Sequence, residues 1–456
     1  MAHRKAAQQR VGRVVLACLM SGALPPVARA AVSEPGDGLS LISLAVDGGK
    51  TDGASFTPSI SANGRYVAFA SAASTLVAGD TNTAEDVFVY DRMARTAERV
   101  SLSSTGAEGD AASYGPAISA DGRHVAFTSA ASNLTPGDTN HQLDVFVRDR
   151  ETQATILVSV GPQGAMGDGP SVAPSISGDG LLVAFESDAD TLVREDNNGT
   201  GDVFIRDLVT RVTRKLSEAG SGQQTESPSF GPDISADGSS VAFESFSSRL
   251  VPGDTNGALD VFVADVASGS LDRVSLATGG EQANERSYSP SISADGRIVA
   301  FSSFADNLVS DDTNGLLDVF LHRRDYQTTT RLSVGPDGAQ GDGLSFAPIV
   351  SADGARVVFS SEAGNLVRND SNGNRDVFVA STESYGLTRL SHRGSGRAQG
   401  DGPSLGPVVD ASGIMVAFAS FATNLVDGDT NGQSDVFVTK SPNLKPQRGA
   451  RQKARR

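Results

Sequence analysis

A repeat constrains this chain more than any other feature. The turn glycine of an S-A-D-G-like tetrapeptide falls at Gly64, Gly122, Gly180, Gly238, Gly296, Gly354 and Gly413. A D-V-F run opens at Asp86, Asp144, Asp202, Asp260, Asp318, Asp376 and Asp435. Both markers advance by 58 residues five times and then by 59. Two separate landmarks on one period mean seven copies of one supersecondary unit, none of which buries its apolar face alone.

Each copy reads as β throughout. In the fifth, SPSIS is a short strand, S-A-D-G a tight turn of residues that tolerate left-handed conformations, and RIVAFSS a strand apolar on both faces. The excursion FADNLVSDDTNGLL leads into DVFLHRR, and TTTRLSV is a fourth strand. No window between residues 39 and 440 keeps a helical period. Four strands repeated seven times predict an all-β seven-bladed β-propeller of antiparallel blades. A β-solenoid uses shorter coils and needs polar end caps that the sequence lacks.

The ends of the repeat region support a ring. GLSLISLAVDGG, residues 38 to 49, matches the fourth strand and following loop of a unit, while the last copy stops after DVFVTK. Residues 39 to 46 are therefore expected to complete the C-terminal blade, which removes open sheet edges.

Outside the repeats the sequence reads as addresses and tails. Residues 1–30 join a basic start, the apolar VVLACLMSGALPPV and Ala28-Arg29-Ala30, the pattern of a secretory signal cut after Ala30. The apolar run is short and broken by Pro25 and Pro26, so no transmembrane anchor is expected. The protein is then exported, to the periplasm or the extracellular space. Cys18 is the single cysteine, which excludes an intramolecular disulfide. Residues 31–38 read as a linker, 39–440 as the propeller and 441–456 as a basic disordered tail. Between residues 31 and 440 the formal charge is about −27, which repels nucleic acid and anionic lipid. Nothing in the pattern calls for oligomerisation, so a monomer is expected.

The run S-A-D-G-R-x-V-A-F-x-S followed by D-V-F-V-x-D resembles the WD-like propeller repeats of the TolB family, over nearly all of residues 39 to 440. The resemblance implies a propeller and periplasmic or secreted protein binding. TolB itself carries an additional N-terminal α/β domain for which this sequence has no room, so a role in the Tol–Pal system does not carry over. Some TolB-like propellers are polysaccharide lyases or hydrolases that use histidine clusters or acid pairs on the top face.

Two recurring patterns supply candidate site residues. In the excursion between second and third strands, a D-x-N-x-x-x-D set repeats as Asp80, Asn82 and Asp86; Asp138, Asn140 and Asp144; Asp196, Asn198 and Asp202; Asp254, Asn256 and Asp260; Asp312, Asn314 and Asp318; Asp370, Asn372 and Asp376; and Asp429, Asn431 and Asp435. Two carboxylates, an amide oxygen, backbone carbonyls and water match the hard-oxygen chemistry of structural Ca2+. The plainer alternative builds Asx turns and uses the last Asp to accept backbone N–H groups. It is preferred because the loop lacks an acid found in integrin-type calcium loops. In the same excursion Leu76, Leu134, Leu192, Leu250, Leu308, Leu366 and Leu425 are expected to pin the loop onto its blade.

The second pattern, Ser–aromatic–x–Pro and its variants, places Ser55, Ser113, Ser171, Ser229, Ser287, Ser345 and Ser404 at the entry to each first strand. One reading makes them a polar collar at the channel mouth for a small ligand or peptide end. The other, which ordinary Ser and Pro chemistry favours, has them cap turns. GPSLG at 402–406 fits G-x-S-x-G, but it is the seventh copy of a loop entering a strand, not a strand-to-helix turn. His124, His141, His322 and His392 occupy unrelated repeat positions, and Glu281 and Glu285 read as solvated loop charges. These features predict a non-catalytic scaffold that binds a protein, peptide or glycan through its long-loop face. The alternative is an exported polysaccharide- or peptide-acting enzyme with an asymmetric polar cluster in one or two blades near the channel mouth.

Overall fold

The computed structural model describes residues 38–219, 224–394 and 398–444; the expected signal sequence, the expected linker up to residue 37 and the expected tail from 445 lie outside them. Seven four-stranded antiparallel sheets follow one another as the blades of a propeller. Blade 1 runs through Ser55–Ile60, Tyr66–Ser71, Asp86–Asp91 and Thr96–Arg99. Blades 2 to 6 repeat that order, and the first strands of neighbouring blades contact one another, so they are innermost around the axis. Among the described residues no helix is long and apolar enough to cross a membrane.

Blade 7 takes Ser404–Val409, Met415–Ser420 and Asp435–Lys440 from one end of the fold and Ser40–Leu41 from the other. Ser40 pairs with Val438 and Leu41 with Phe437. The expected closure is present, with a paired strand shorter than residues 39 to 46. The single 59-residue step is also explained. Between blades 6 and 7 the loop pairing spans seven positions, His392 with Gln399, where the same pairing elsewhere spans six, as Leu102 with Glu108 and Val334 with Gln340.

The core lies between blades. Successive residues of a strand face opposite neighbours, so both faces must be apolar. Phe301 and Phe320 of blade 5 pack with Ala242, Val261 and Val263 of blade 4, and similar clusters fill the other junctions. In each blade the second- and third-strand phenylalanines stack, as Phe69 on Phe88 at 6.0 Å and Phe359 on Phe378 at 5.8 Å. Each buried ring contributes about 2–3 kcal/mol of transfer free energy, and the stacked pair about 1 kcal/mol more. The seven leucines of the excursions are all buried, which pins those loops as expected.

The S-A-D-G turns fasten blade to blade. Within a turn, Ser119 Oγ donates to Asp121 Oδ1, which also accepts the Arg123 N–H. Gly64 has φ +67°, and a Cβ there would stand 2.7 Å from Met415 Cγ of the adjoining blade, so no larger residue fits. The turn backbones also bond across junctions: Ala62 N to Ala120 O, Ala120 N to Gly178 O, Gly178 N to Ala236 O, Asp237 N to Ala294 O and Ala294 N to Ala352 O. Ala411 N to Ala62 O, at 3.1 Å, spans the closure.

On the innermost strands the third residue is left-handed in every blade: Thr57, Gly115, Ala173, Gly231, Ser289, Ala347 and Gly406, with φ from +46° to +60°. The ladder register slips at each of these points, a bulge that turns the residue out of the sheet. Thr57, Ala173 and Ser289 are exposed although they sit on innermost strands, so the bulges line the central channel.

Candidate functional site

The repeated Asp/Asn loops are corners built by hydrogen bonds. In blade 4, Asn256 Nδ2 donates to Asp260 Oδ2 at 2.7 Å and to Ala283 O at 2.9 Å, while Asn256 Oδ1 accepts the Ala258 N–H. The amide-to-carboxylate bond recurs from Asn82, Asn140, Asn198, Asn314, Asn372 and Asn431. The amide oxygen is therefore committed to the backbone and is not a metal ligand. The other oxygen of the last aspartate accepts from a serine two residues past the fourth strand, as Ser159 Oγ to Asp144 Oδ1 at 2.6 Å. That serine in turn accepts the Val145 N–H. Ser43 does the same for Asp435 across the closure.

In five blades a side chain takes the place that the calcium reading gave to a metal. Arg99 Nη1 lies 3.0 Å from Asp80 and 3.2 Å from Asp86. Lys215 bridges Asp196 and Asp202, Arg273 bridges Asp254 and Asp260, Arg331 bridges Asp312 and Asp318, and Arg389 bridges Asp370 and Asp376. These cations all occupy one fourth-strand position, opposite the third-strand phenylalanine. The structural-calcium alternative is corrected there: the protein carries its own counter-ion.

The serine collar is corrected too. Ser55, Ser113, Ser171, Ser229, Ser287, Ser345 and Ser404 are fully buried. Each shares a hydrogen bond with a second-strand serine, as Ser55 Oγ to Ser71 Oγ at 2.9 Å and Ser404 with Ser420 at 2.8 Å. They fasten first strand to second and do not face the channel. Ser404 lies within a strand, so the G-x-S-x-G match is not a nucleophile elbow.

What breaks the symmetry is a pair of glutamates. The fifth residue of the second strand is small in five blades (Ala70, Thr128, Ser302, Ser360 and Ala419), but it is Glu186 in blade 3 and Glu244 in blade 4. Both are half-buried. Glu186 Oε2 accepts the N–H of the bulge residue Gly231 at 2.8 Å, and Glu244 Oε2 accepts that of Ser289 at 2.9 Å. Glu244 Oε1 lies 3.7 Å from the point where a Gly231 Cβ would stand. The two carboxylates thus flank one glycine on the channel wall, their nearest oxygens no more than about 9 Å apart by backbone geometry.

Burial raises both carboxyls above the usual range. The Gly231 and Ser289 N–H groups oppose the rise, while Asp188 adds to it at Glu186 and the Glu186 charge adds to it at Glu244. A third acid, Asp233, stands two residues beyond Gly231 where other blades have Ser59, Ala117, Ser175, Ser291, Ile349 and Val408. It accepts from Ser175 Oγ and from Ile292 N, and burial raises it as well.

Aromatic rings stand beside these acids. Phe230 pairs with Glu244 across the ladder and meets Phe246 edge-on at 6.4 Å. Tyr288, next to Ser289, meets Phe304 at 6.1 Å. Phe246 and Phe304 are 39% and 38% exposed, as is Phe421 at 41% in the same position of blade 7, and their faces are open to a ligand. The histidines are not part of this group. His322 is buried against Thr329 and pushed down to about 4 by burial, and His124, His141 and His392 lie on other blades or loops. Among the described residues no three His, Cys, Asp or Glu side chains are grouped to hold a metal.

Sequence reasoning asked for asymmetry near the channel and looked for it in loops. The signal lay in a strand instead, as two glutamates at a repeat position otherwise filled by Ala, Ser or Thr.

No family's sequence profile matches the chain, and no curated protein matches its sequence. Solved structures do. An oligogalacturonate lyase from Vibrio parahaemolyticus aligns at 14% identity with a TM-score of 0.52, over 89% of this chain and 97% of that one. The acylaminoacyl peptidase of Pyrococcus horikoshii aligns at 10% and 0.50, over 86% of this chain and 52% of the peptidase. TolB from Acinetobacter baumannii aligns at 18% and 0.38, and this chain spans 59% of its length. At such identities the likeness establishes the fold. It also corrects the expectation of a non-catalytic chain: enzymes share this propeller, and the internal symmetry thought to argue against catalysis is broken by Glu186, Glu244 and Asp233.

Proposed function

We propose that this protein is an exported enzyme that hydrolyses glycosidic bonds at the channel mouth of blades 3 to 5. The observation that carries the reading is the convergence of Glu186 and Glu244 on Gly231, at a position where five blades have no acid. A pair of carboxylates is the requirement for glycoside cleavage, and an upper bound of about 9 Å on their separation is compatible with such pairs.

Roles follow from the electrostatics. Burial and the Glu186 charge raise Glu244, which suits it to donate a proton as the acid. Its Oε2 is engaged by Ser289, which leaves Oε1, the oxygen over Gly231, to carry that proton. In the reaction Glu244 protonates the leaving oxygen as the C–O bond breaks. Glu186 acts on the opposite side, as base toward water or as nucleophile at the anomeric carbon. Water adds across the bond, and both carboxyls return to their starting protonation. The absence of a Gly231 side chain keeps the gap between them open. Phe246 and Phe304 offer flat apolar faces to sugar rings. The Glu186 carboxylate disfavours uronates beside it, so the substrate class is a neutral or amino-sugar oligosaccharide.

The test is hydrolysis of a panel of neutral, amino-sugar and uronate oligosaccharides by the purified protein, with Glu186→Gln and Glu244→Gln as controls. Release of reducing ends from a neutral or amino-sugar member, lost in both variants, supports the assignment. Binding without product, or turnover unaffected by both substitutions, sinks it.

A further inference from the structure

Two of the seven Asp/Asn corners lack the cation that the other five carry. In blade 2 the fourth-strand position opposite Phe146 is Leu157, and in blade 7 the position opposite Phe437 is Leu41. Their siblings are Arg99, Lys215, Arg273, Arg331 and Arg389, each bridging two aspartates. Leu157 and Leu41 pack instead against apolar core clusters. The carboxylates they leave behind are not exposed: Asp138 is 8% exposed, Asp429 4%, and Asp144 and Asp435 are buried.

We propose that blades 2 and 7 each bind a hard metal cation, of the calcium class, between the two aspartates, in the place that a guanidinium or ammonium occupies in the other blades. The proposal does not rest on acidity alone. The same backbone and the same pair of acids grip a cation in five of the seven blades, so the slot is already shaped for positive charge. In blade 1 the Gly79 carbonyl also faces the Arg99 guanidinium. The repeat puts the Gly137 and Gly428 carbonyls in that place, which supplies a third oxygen beside two carboxylates, with water to complete the six to eight that calcium takes.

The surroundings differ between the two blades in a way that ranks them. Glu108 in blade 1 bonds Arg99 and Thr81; its counterpart in blade 2 is Met166, near Thr139 Oγ1, which brings no charge. In blade 7 the counterpart is Lys50, an exposed amine that bonds Thr430 and acts weakly on Asp429. Blade 2 is therefore the tighter site.

Calorimetric titration of the EDTA-stripped full chain with CaCl2 at constant ionic strength tests this, up to the millimolar range typical of weak extracellular sites. Two sites are expected in the wild type and one in Leu157→Arg, which installs the siblings' own counter-ion. None is expected in the Leu41→Arg/Leu157→Arg double variant. Asp138→Asn, which keeps the leucine, should also remove one site and guards against misfolding of the arginine variants. Absence of binding across that range, or a site count unchanged by Leu157→Arg and Asp138→Asn, overturns the proposal. So does a melting midpoint indifferent to calcium that rises on mild acidification, since a shared proton would then balance the pair.

Discussion

Arg331 Nη1 stands 2.8 Å from Asp312, and the same nitrogen reaches Asp318 at 3.4 Å, so one fourth-strand side chain neutralises two carboxylates that are almost wholly buried. Replacing Arg331 with Met should cost about 3–5 kcal/mol, because it leaves two buried acids uncompensated. Urea unfolding would read this as a lower midpoint. Arg249→Met, which breaks the exposed pair with Glu226, should leave the midpoint in place.

Ring closure should depend on one hydroxyl. Ser43 Oγ donates to Asp435 Oδ1 and accepts the Val436 N–H. Ser43→Ala strands a buried acceptor and a buried donor, at a cost of about 1–3 kcal/mol. The equivalent Ser217→Ala in blade 3 should cost the same in equilibrium unfolding, but only Ser43→Ala should speed protease cleavage near residue 45.

Stability should rise on mild acidification. Burial pushes Asp138, Asp260 and Asp429 up to about 6, above the value near 3.9 of an unfolded aspartate. The folded chain thus takes up protons before the unfolded chain does, and that stability is complete below about pH 4 and lost as the pH passes 6. Asp149 has the opposite sign: Arg123 holds its carboxyl far below the usual range, so its contribution disappears only in strong acid. A metal-free melting midpoint should therefore peak near pH 4–5. Asp138→Asn should flatten the slope between pH 5 and 7.

The channel bulges hold strain. Ala347 has φ +50°, a conformation that costs an L-residue about 1–2 kcal/mol. Gly115, Gly231 and Gly406 occupy the same place without that penalty. Ala347→Gly should raise stability by up to about 1 kcal/mol, measured by thermal melting. Loss of stability would mean that its methyl group packs against something essential.

On the proposed chemistry, the alkaline limb of the kcat/KM profile reports Glu244, and Glu244→Gln should lower kcat by about 10²–10⁴. Phe246→Ala should raise KM and leave kcat nearly unchanged, because the ring touches substrate away from the reacting bond.

The fold was legible because its markers repeat. S-A-D-G and D-V-F kept one period, and residues 38 to 49 matched the strand that blade 7 lacks. The corners were half legible. Asp254, Asn256 and Asp260 were visible as a set, but Arg273, which neutralises it, lies on the next strand. Nothing local to the loop announces its partner, yet the spacing of Arg99, Lys215, Arg273, Arg331 and Arg389 carried the signal, with Leu157 and Leu41 as the exceptions. The serines were misplaced because chain order does not say which way a side chain leaves an innermost strand, and the bulge two residues later reverses the alternation. Glu186 and Glu244 escaped notice for a related reason. A single acid in an apolar strand reads as noise until the neighbouring blade supplies Gly231.

The bond between Ser43 and Asp435 joins residues 392 positions apart. During synthesis the strand Ser40–Leu41 emerges early, and its partner Asp435–Lys440 is made only after six complete blades. For that whole interval the early strand is an orphan and the growing array has an open side. Two chains held close at this stage can trade those strands, each closing the other's ring with the same hydrogen bonds. Order of assembly, rather than strength of contact, then decides between one closed ring and an interlocked pair.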